Sequence, residues 1–197
     1  MERKLKPITV ERLLQGKEVC LFSPEEFRRL FRVTLRATQE FIKDHNQDLF
    51  IKLRNGLYAL RSDPPNELEI ANRIYGPSYI SLEYALAYYR FIPETVYTIT
   101  SATTKITRKF TVQGKSYEYS RIKKRAYTGY RLIKEGQAKI LMATPEKALV
   151  DYCYFIDLKL KSLNDRLRVS KVNAKEALRY ARLFDRESLV KLVRELL

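Results

Sequence analysis

The sequence of 197 residues is poor in the side chains from which metal sites, disulfide frameworks and acid–base centres are built. Its two cysteines, Cys20 and Cys153, are too few and too far apart along the chain for a disulfide framework or a cysteine metal site. The single histidine, His45, excludes most histidine-based constellations, and no serine or cysteine nucleophile has a visible base. We therefore expect no metal, no cofactor and no catalytic residues, and we predict that the protein is not an enzyme.

Long apolar runs are also lacking. No stretch approaches the roughly 20 apolar residues that span a bilayer, and the charged amino terminus has no apolar segment behind it of the kind found in secretory signals. We accordingly expect a cytoplasmic protein without a membrane partner. Apolar content, at 45%, is ordinary for a folded chain, so a sizeable core is available and disorder is not expected.

Acidic residues are scarce relative to basic ones. The chain carries 38 Lys or Arg against 23 Asp or Glu, a formal net charge of +15 that favours a polyanionic partner. The excess is concentrated in residues 101–142, which contain 11 basic and 2 acidic residues, whereas residues 1–60 contain 12 and 8. Most of the positive charge is thus expected outside the amino-terminal part of the chain.

The stretch from Phe22 to Leu60 predicts two short helices followed by a β-hairpin. Ser23 is a helix N-cap, Pro24 suits the first helical position, and Glu26 completes a capping box. After a short turn, Thr34 caps a second helix. Helical spacing places four residues of this second helix on its buried face: Leu35, Thr38, Phe41 and Ile42.

The hairpin signal is Asn55-Gly56 between two apolar runs, because both residues tolerate the positive φ of a tight turn. Two helices at a tight turn and a hairpin with a basic tip are typical of a winged helix-turn-helix that binds double-stranded DNA, although winged helices also serve as protein-docking modules. The predicted DNA-binding residues lie on the turn, the second helix and the hairpin: Arg32, Arg36, Gln39, Lys43, Lys52, Arg54 and Asn55.

A break at Arg61–Pro65 divides the chain into a predicted DNA-binding domain, residues 1–62, and a second domain, residues 63–197. In the second domain, hairpins around Gly114 and Gly136 predict an antiparallel sheet, and further helices follow to the carboxyl terminus. The predicted fold class is α+β, with an N-terminal winged helix-turn-helix followed by a mixed domain with an antiparallel sheet and C-terminal helices.

A second basic patch is predicted within the sheet. Its cations alternate with tyrosines and apolar residues, a pattern that suits either contacts to a nucleic-acid backbone or a solvated sheet face, and the sequence leaves both open. The residues of this patch are Arg121, Lys123, Lys124, Arg125 and Arg131.

An alternative is a metal-dependent nuclease or phosphate-handling enzyme of the restriction-endonuclease type. Glu118 followed by Gln137 and Lys139 on a later strand faintly matches the arrangement of such enzymes, which hold a divalent metal between carboxylates. Few acids are available in this segment to retain the metal. Two other acids, Glu146 and Asp151, are better explained as a helix-start acid and as a partly buried partner for Arg or Lys.

Several sequence blocks together resemble the AbiEi family. These blocks are PSYISLEYAL at 77–86, ITSAT at 99–103 and ATPEKALVD at 143–151, and the winged-helix pattern ending in NGLY at 55–58 fits the same family. Members of that family are predicted transcriptional regulators of viral defence systems and antitoxins of type IV toxin–antitoxin pairs. The resemblance covers roughly residues 9–155.

The resemblance implies a transcriptional repressor whose N-terminal winged helix binds repeats in its own promoter. It further implies a C-terminal domain needed for antitoxic activity, and a nucleotidyltransferase-like toxin as a functional partner with which no stable complex is expected. A stand-alone regulator without a toxin remains open.

Overall fold

Helices and strands succeed one another along the chain in an α+β arrangement. The computed structural model describes residues 5–197, in which the chain forms eight α-helices and nine strands. It divides into two units, the first ending at Ile74 and the second comprising Tyr75–Leu197. In the described residues, no helix combines the length and the apolar character needed to cross a bilayer.

The first unit contains four helices and one small sheet. Its strands lie in the order β1-β3-β2, with both pairs antiparallel. The elements are α1 (Pro7–Gly16), β1 (Leu21–Phe22), α2 (Pro24–Phe31), α3 (Leu35–Asp44), β2 (Phe50–Arg54), β3 (Leu57–Leu60) and α4 (Glu67–Ile74).

An aromatic cluster forms the core of this unit. The ring of Phe22 lies 5.5 Å from that of Phe27 and 5.1 Å from that of Phe50, between centroids, and all three side chains are buried. Aliphatic side chains from α1 and α3 surround the rings. Because the cluster draws on three helices and three strands, its burial holds α2 and α3 against the sheet.

Local capping determines where α2 and α3 begin. The predicted capping box is formed: the Ser23 hydroxyl accepts from the Glu26 N–H, and the Glu26 carboxylate accepts from the Ser23 N–H at 2.7 Å. Thr34 caps α3 by accepting from the N–H of Ala37. Between the two helices Arg32 adopts the left-handed conformation, with φ of 55°, a conformation that ends α2 and turns the chain into α3.

The hairpin between β2 and β3 differs in detail from the predicted turn. Gly56 has a positive φ of 76°, but Asn55 does not, and the strand register shifts between Lys52 and Arg54. The predicted hairpin at Asn55-Gly56 is therefore formed, but only the second of its two turn residues adopts a positive φ. The register shift marks an irregularity in the pairing of β2 with β3, next to the turn.

Helix α4 follows the Pro64-Pro65 break, where the sequence placed the domain boundary, yet it belongs to the first unit. Glu69 of α4 accepts a hydrogen bond from the Cys20 thiol at 3.4 Å, and Arg73 forms an ion pair with Glu26. The division between units thus lies after Ile74 rather than after residue 62, because side chains beyond the proline break bond back to the first unit.

The second unit contains a six-stranded sheet with the order β6-β7-β5-β4-β9-β8. A single turn of 3₁₀-helix, Lys124–Ala126, lies between β7 and β8. The elements are β4 (Ser78–Ile80), α5 (Leu82–Tyr88), β5 (Ile99–Thr103), β6 (Arg108–Val112), β7 (Lys115–Arg121), β8 (Tyr130–Glu135), β9 (Ala138–Ala143), α6 (Pro145–Asp157), α7 (Ala174–Arg182) and α8 (Glu187–Leu196).

The sheet is mixed rather than antiparallel. The two predicted hairpins, β6–β7 and β8–β9, are present, but β5 pairs with β7 in parallel and β4 pairs with β9 in parallel. The prediction of an antiparallel sheet is wrong because hairpin signals report only pairs that are adjacent in the chain. Strands β4 and β5 pair in parallel with strands that are not their neighbours in the chain, and no local signal records the direction of such pairs.

Candidate nucleic-acid interfaces

The exposed side of α3 carries the polar residues predicted to face DNA. Arg36, Gln39 and Lys43 are exposed, whereas Thr38 and Ile42 on the opposite side are buried. Leu35 was expected on the buried side, but 46% of it is exposed. It is the first residue of α3, and helical spacing alone did not predict its exposure.

A shallow cavity of about 210 Å³ joins α3 to the hairpin. Gln39 and Lys43 of α3 and Lys52 and Tyr58 of the hairpin line it together. The fold thus brings three of the seven predicted DNA-binding residues to one surface, which we call the helix–hairpin surface. Residues far apart in the sequence meet here because β2 pairs with β3 beside α3.

Arg36 is highly solvated, with 88% of its side chain exposed. Its Nε donates to Glu40 at 2.9 Å across one helical turn. Exposed pairs of this kind contribute only about 0.3–0.5 kcal/mol, so a stronger acceptor such as a base or a phosphate can displace Glu40. Including Lys43 and Asp44, α3 contains two basic and two acidic residues, and its charge is balanced.

The remaining predicted DNA-binding residues lie at the edges of this surface. Arg32 is exposed at the turn between α2 and α3, and Arg54 and Asn55 are exposed at the hairpin tip. Arg54 forms no ion pair with any other described residue. These side chains can reach a polyanion without first breaking an internal salt bridge.

The second basic patch is not a single surface. Arg125 forms an ion pair with Asp185 and donates through Nε to the carbonyl of Leu183 at 2.6 Å. Arg131 lies on β8, four strand positions from Arg121 on β7, a separation of about 19 Å at roughly 4.8 Å per strand. Of the five predicted patch residues, Arg121, Lys123 and Lys124 remain together, whereas Arg125 holds the α7–α8 connection.

The nuclease-like arrangement is not formed. Glu118 on β7 and Lys139 on β9 have β5 and β4 between them, which places them about 14 Å apart across the sheet. Glu118 is instead paired with Lys109 at 2.7 Å, and Gln137 lies in the β8–β9 turn. The part of the chain that the structure describes contains no group of three or more His, Cys, Asp or Glu residues that could hold a metal ion.

The ATPEKALVD block folds into α6 around a buried ion pair. Lys147 and Asp151, one helical turn apart, are both 0% exposed and form a salt bridge. The other carboxylate oxygen of Asp151, Oδ2, accepts from the hydroxyls of Tyr79 and Ser81, each at 2.8 Å. The partner expected for Asp151 is therefore Lys147, and the pair is fully buried rather than partly buried.

Burial is the main cause of the pKa shifts of Lys147 and Tyr79 in this network. Burial lowers the pKa of the Lys147 ammonium below its ordinary value, and the neighbouring Asp151 carboxylate opposes that shift. Burial first, and then the charge of Asp151, raise the pKa of Tyr79 well above its ordinary value. Tyr79 consequently remains a hydroxyl donor to Asp151 at neutral pH, and the network acts as a structural centre of the second unit.

Gly129 makes room for this network. A Cβ at this position would lie 2.7 Å from the ring of Tyr180 and 3.0 Å from Cγ of Lys147, and its φ is +76°. Neither Gly129 nor Lys147 was among the residues predicted to be functional. The only signal in the sequence was a Lys and an Asp four positions apart on one helix, a spacing that more often occurs at exposed helix surfaces.

No protein-family model and no curated protein matches the chain.

Proposed function

We propose that the first unit is a winged helix-turn-helix that binds double-stranded DNA, and that the protein is a transcriptional repressor. The observation that carries the proposal is the helix–hairpin surface, where Gln39, Lys43 and Lys52 line one cavity. The order of elements supports it: α1, β1, α2, α3 and the β2–β3 hairpin, with β1 completing the sheet beside β3, follow the arrangement of a winged helix.

In this proposal the amino-terminal half of α3 enters the major groove. Arg36 suits a bidentate contact to guanine, and Gln39 suits one to adenine, since their donor and acceptor patterns match those base edges. Lys43, Lys52 and Arg54 contact phosphates, which positions the protein without reading sequence. Arg32 at the turn and Asn55 at the hairpin tip reach the adjacent backbone or minor groove.

The balanced charge of α3 affects how much of the affinity for DNA comes from this helix and how much from the rest of the chain. Arg36 and Lys43 are offset by Glu40 and Asp44 on the same helix. Such a helix contributes little to the salt-dependent attraction between protein and DNA, which scales with the number of phosphates neutralised. We expect α3 to supply base preference and other basic residues of the chain to supply most of the attraction.

The biological role that we propose is that of an antitoxin in a type IV toxin–antitoxin system, repressing its own operon through promoter repeats. The support is the resemblance of the blocks between residues 77 and 151 to the AbiEi family, all of which lie in the second unit. The functional partner is then a nucleotidyltransferase-like toxin, which the protein counteracts without forming a stable complex.

Gel-shift titration of the DNA upstream of the gene tests the DNA-binding proposal. We expect a specific complex that survives excess scrambled duplex, and we expect the double variant Gln39→Ala/Lys52→Ala to lose it. The matched control is Lys17→Ala, which removes an exposed charge of the first unit outside the helix–hairpin surface. Equal binding of the upstream and scrambled duplexes by the unaltered protein would refute sequence-specific repression.

Co-expression tests the antitoxin role. If a nucleotidyltransferase-like gene lies beside this one, its induction should arrest growth, and this protein should restore growth without co-purifying with the toxin. Continued arrest at full expression of both proteins would refute the antitoxin role and leave a stand-alone regulator.

A further inference from the structure

Most of the positive charge of the chain belongs to the second unit. Residues 75–197 contain 24 Lys or Arg and 12 Asp or Glu, whereas residues 1–74 contain 14 and 11. The second unit thus carries +12 of the net +15. A helix–hairpin surface in the first unit makes no use of this charge, so its distribution over the second unit needs its own explanation.

The topology of the sheet gathers part of this charge at one end. Because β5 and β7 are parallel, Thr103 lies opposite Arg121 where both strands finish. The antiparallel strand β6 starts at the same end, with Arg108 opposite Tyr119. Lys105 follows β5 and Lys123-Lys124 follow β7. We call the five cations that meet here the sheet-end cluster: Lys105, Arg108, Arg121, Lys123 and Lys124.

No acidic residue that the structure describes forms an ion pair with the sheet-end cluster. Between Thr95 and Lys134 the only acidic residue is Glu118, and its carboxylate is already paired with Lys109. All five residues are exposed, and none of them forms an ion pair with another residue of the described part of the chain. Lys105 is held over the ring of Tyr75, with Nζ 5.3 Å from the centroid, an interaction that leaves its charge in place.

This arrangement contrasts with that of two other cations of the same segment. Lys109 is neutralised by Glu118, and Arg125 is neutralised by Asp185. Five like charges left without acidic partners repel one another and destabilise the folded state. A phosphodiester backbone relieves that repulsion, and its binding is driven by the release of condensed counterions.

We propose that the sheet-end cluster is a second DNA-binding surface, which contacts the phosphate backbone of double-stranded DNA without reading sequence. The cluster extends over β5, β7 and β6, about 10 Å across the sheet, and a duplex presents about six phosphate charges over that length. This inference rests on the proposed function, because sequence-specific binding by the first unit is what brings duplex DNA to the protein.

The test measures the salt dependence of binding to the upstream duplex and to a scrambled duplex of equal length. The variant is Arg121→Gln/Lys123→Gln/Lys124→Gln. The matched control, Lys171→Gln/Lys175→Gln/Arg182→Gln, removes the same charge from exposed positions elsewhere in the second unit. Circular dichroism and thermal unfolding of all three proteins check that the substitutions leave the fold intact.

We expect the slope of log K against log[salt] to become less steep by about 0.9 for each phosphate that the variant no longer neutralises, or about 2.7 for the three substitutions together. Between 50 and 200 mM salt, the affinity of the variant then falls about 40-fold less than that of the unaltered protein. Affinity for both duplexes should drop by the same factor, so the ratio between them is unchanged. An unaltered slope, or an equal change in the control, would overturn the proposal.

The outcomes separate this inference from the proposed function. If the protein fails to distinguish the two duplexes while the variant still lowers the slope, repression is refuted and the backbone surface stands. If the protein distinguishes them but the slope is unaltered, only the backbone surface is refuted. A greater loss of affinity for an RNA duplex or a single strand than for duplex DNA would overturn DNA as the occupant, and failure to bind any DNA refutes both.

Discussion

The buried pair in α6 should couple two substitutions strongly. Lys147 and Asp151 are both 0% exposed and form a salt bridge. Removing one member of such a pair leaves an uncompensated buried charge and costs about 3–5 kcal/mol of unfolding free energy. Removing both members avoids that penalty, so the double variant should be more stable than either single variant.

The hydrogen bonds around Asp151 determine which substitutions test the coupling between Lys147 and Asp151 without removing other bonds. Its Oδ2 accepts both hydroxyls, from Tyr79 and Ser81, whereas Oδ1 accepts from Lys147. Asp151→Asn therefore keeps both hydroxyl bonds when its carbonyl oxygen occupies the Oδ2 position, and its amide then faces the ammonium. Lys147→Met keeps the length of the aliphatic stem and removes only the charge.

The double variant Lys147→Met/Asp151→Asn leaves one amide donor without a partner, at a cost of about 1–3 kcal/mol. The single variants together cost about 6–10 kcal/mol, so the coupling free energy should be at least about 3 kcal/mol. Urea unfolding followed by circular dichroism measures these values, and hydrogen exchange of the α6 peptide assigns the transition to the second unit.

Additive effects, with the double variant losing as much as both single variants together, would refute the reasoning. So would a loss below about 1 kcal/mol in either single variant, since an exposed pair behaves in that way. The free energy lost in each single variant comes close to the total stability of a typical domain. Recovery of folded protein in the double variant is therefore itself an informative result.

The geometry supports three further predictions. Arg36→Ala should weaken binding to the preferred duplex by about 1–3 kcal/mol and relax preference at one base pair; an unchanged footprint would exclude α3 from base reading. Gly129→Ala should lower the unfolding free energy by about 2–4 kcal/mol, because the added Cβ would lie 2.7 Å from an aromatic ring and the φ of this residue is +76°. The control Gly136→Ala, which has open space around it, should lower it by only about 1–2 kcal/mol. Equal losses of unfolding free energy in urea titrations would contradict the steric argument. Burial raises the pKa of the Cys153 thiol to about 12, and burial together with the Glu69 carboxylate raises the pKa of the half-buried Cys20 thiol to about 12. At pH 8 a disulfide reagent should therefore label the native protein roughly a thousand-fold more slowly than the urea-unfolded protein; rapid native labelling of either thiol would contradict these raised pKa values.

Capping and turn chemistry could be predicted from the sequence. The capping box of Ser23 and Glu26 formed as expected, as did the Thr34 cap and the hairpin turn at Gly114. Each of these features is satisfied by groups within a few positions along the chain, so tertiary packing had little opportunity to override it. The exposure of Leu35 was not predictable in this way, because it depends on how far the core extends along α3.

The basic segment illustrates the opposite case. Its composition predicted a polyanionic partner, but it could not separate Arg125, which is bound to Asp185, from Lys123 and Lys124, which have no acidic partner among the described residues. Lys105 and Arg108 lie beside Arg121 only because β5 and β7 run parallel. Composition counts charges, whereas the neighbours that neutralise them come from distant parts of the chain.

Local chemistry along the chain therefore established the helix starts, the hairpins, the α+β class and the surplus of positive charge, since each depends on side chains a few residues apart or on composition. The packing of distant segments established the rest. It produced the mixed sheet, it brought Lys147, Tyr79 and Ser81 into contact with Asp151, and it left a set of exposed cations without an acidic partner among the described residues. The physical reason is that the burial of a charge and its pairing are properties of three-dimensional neighbourhoods, which strand order and direction create and a linear pattern does not contain.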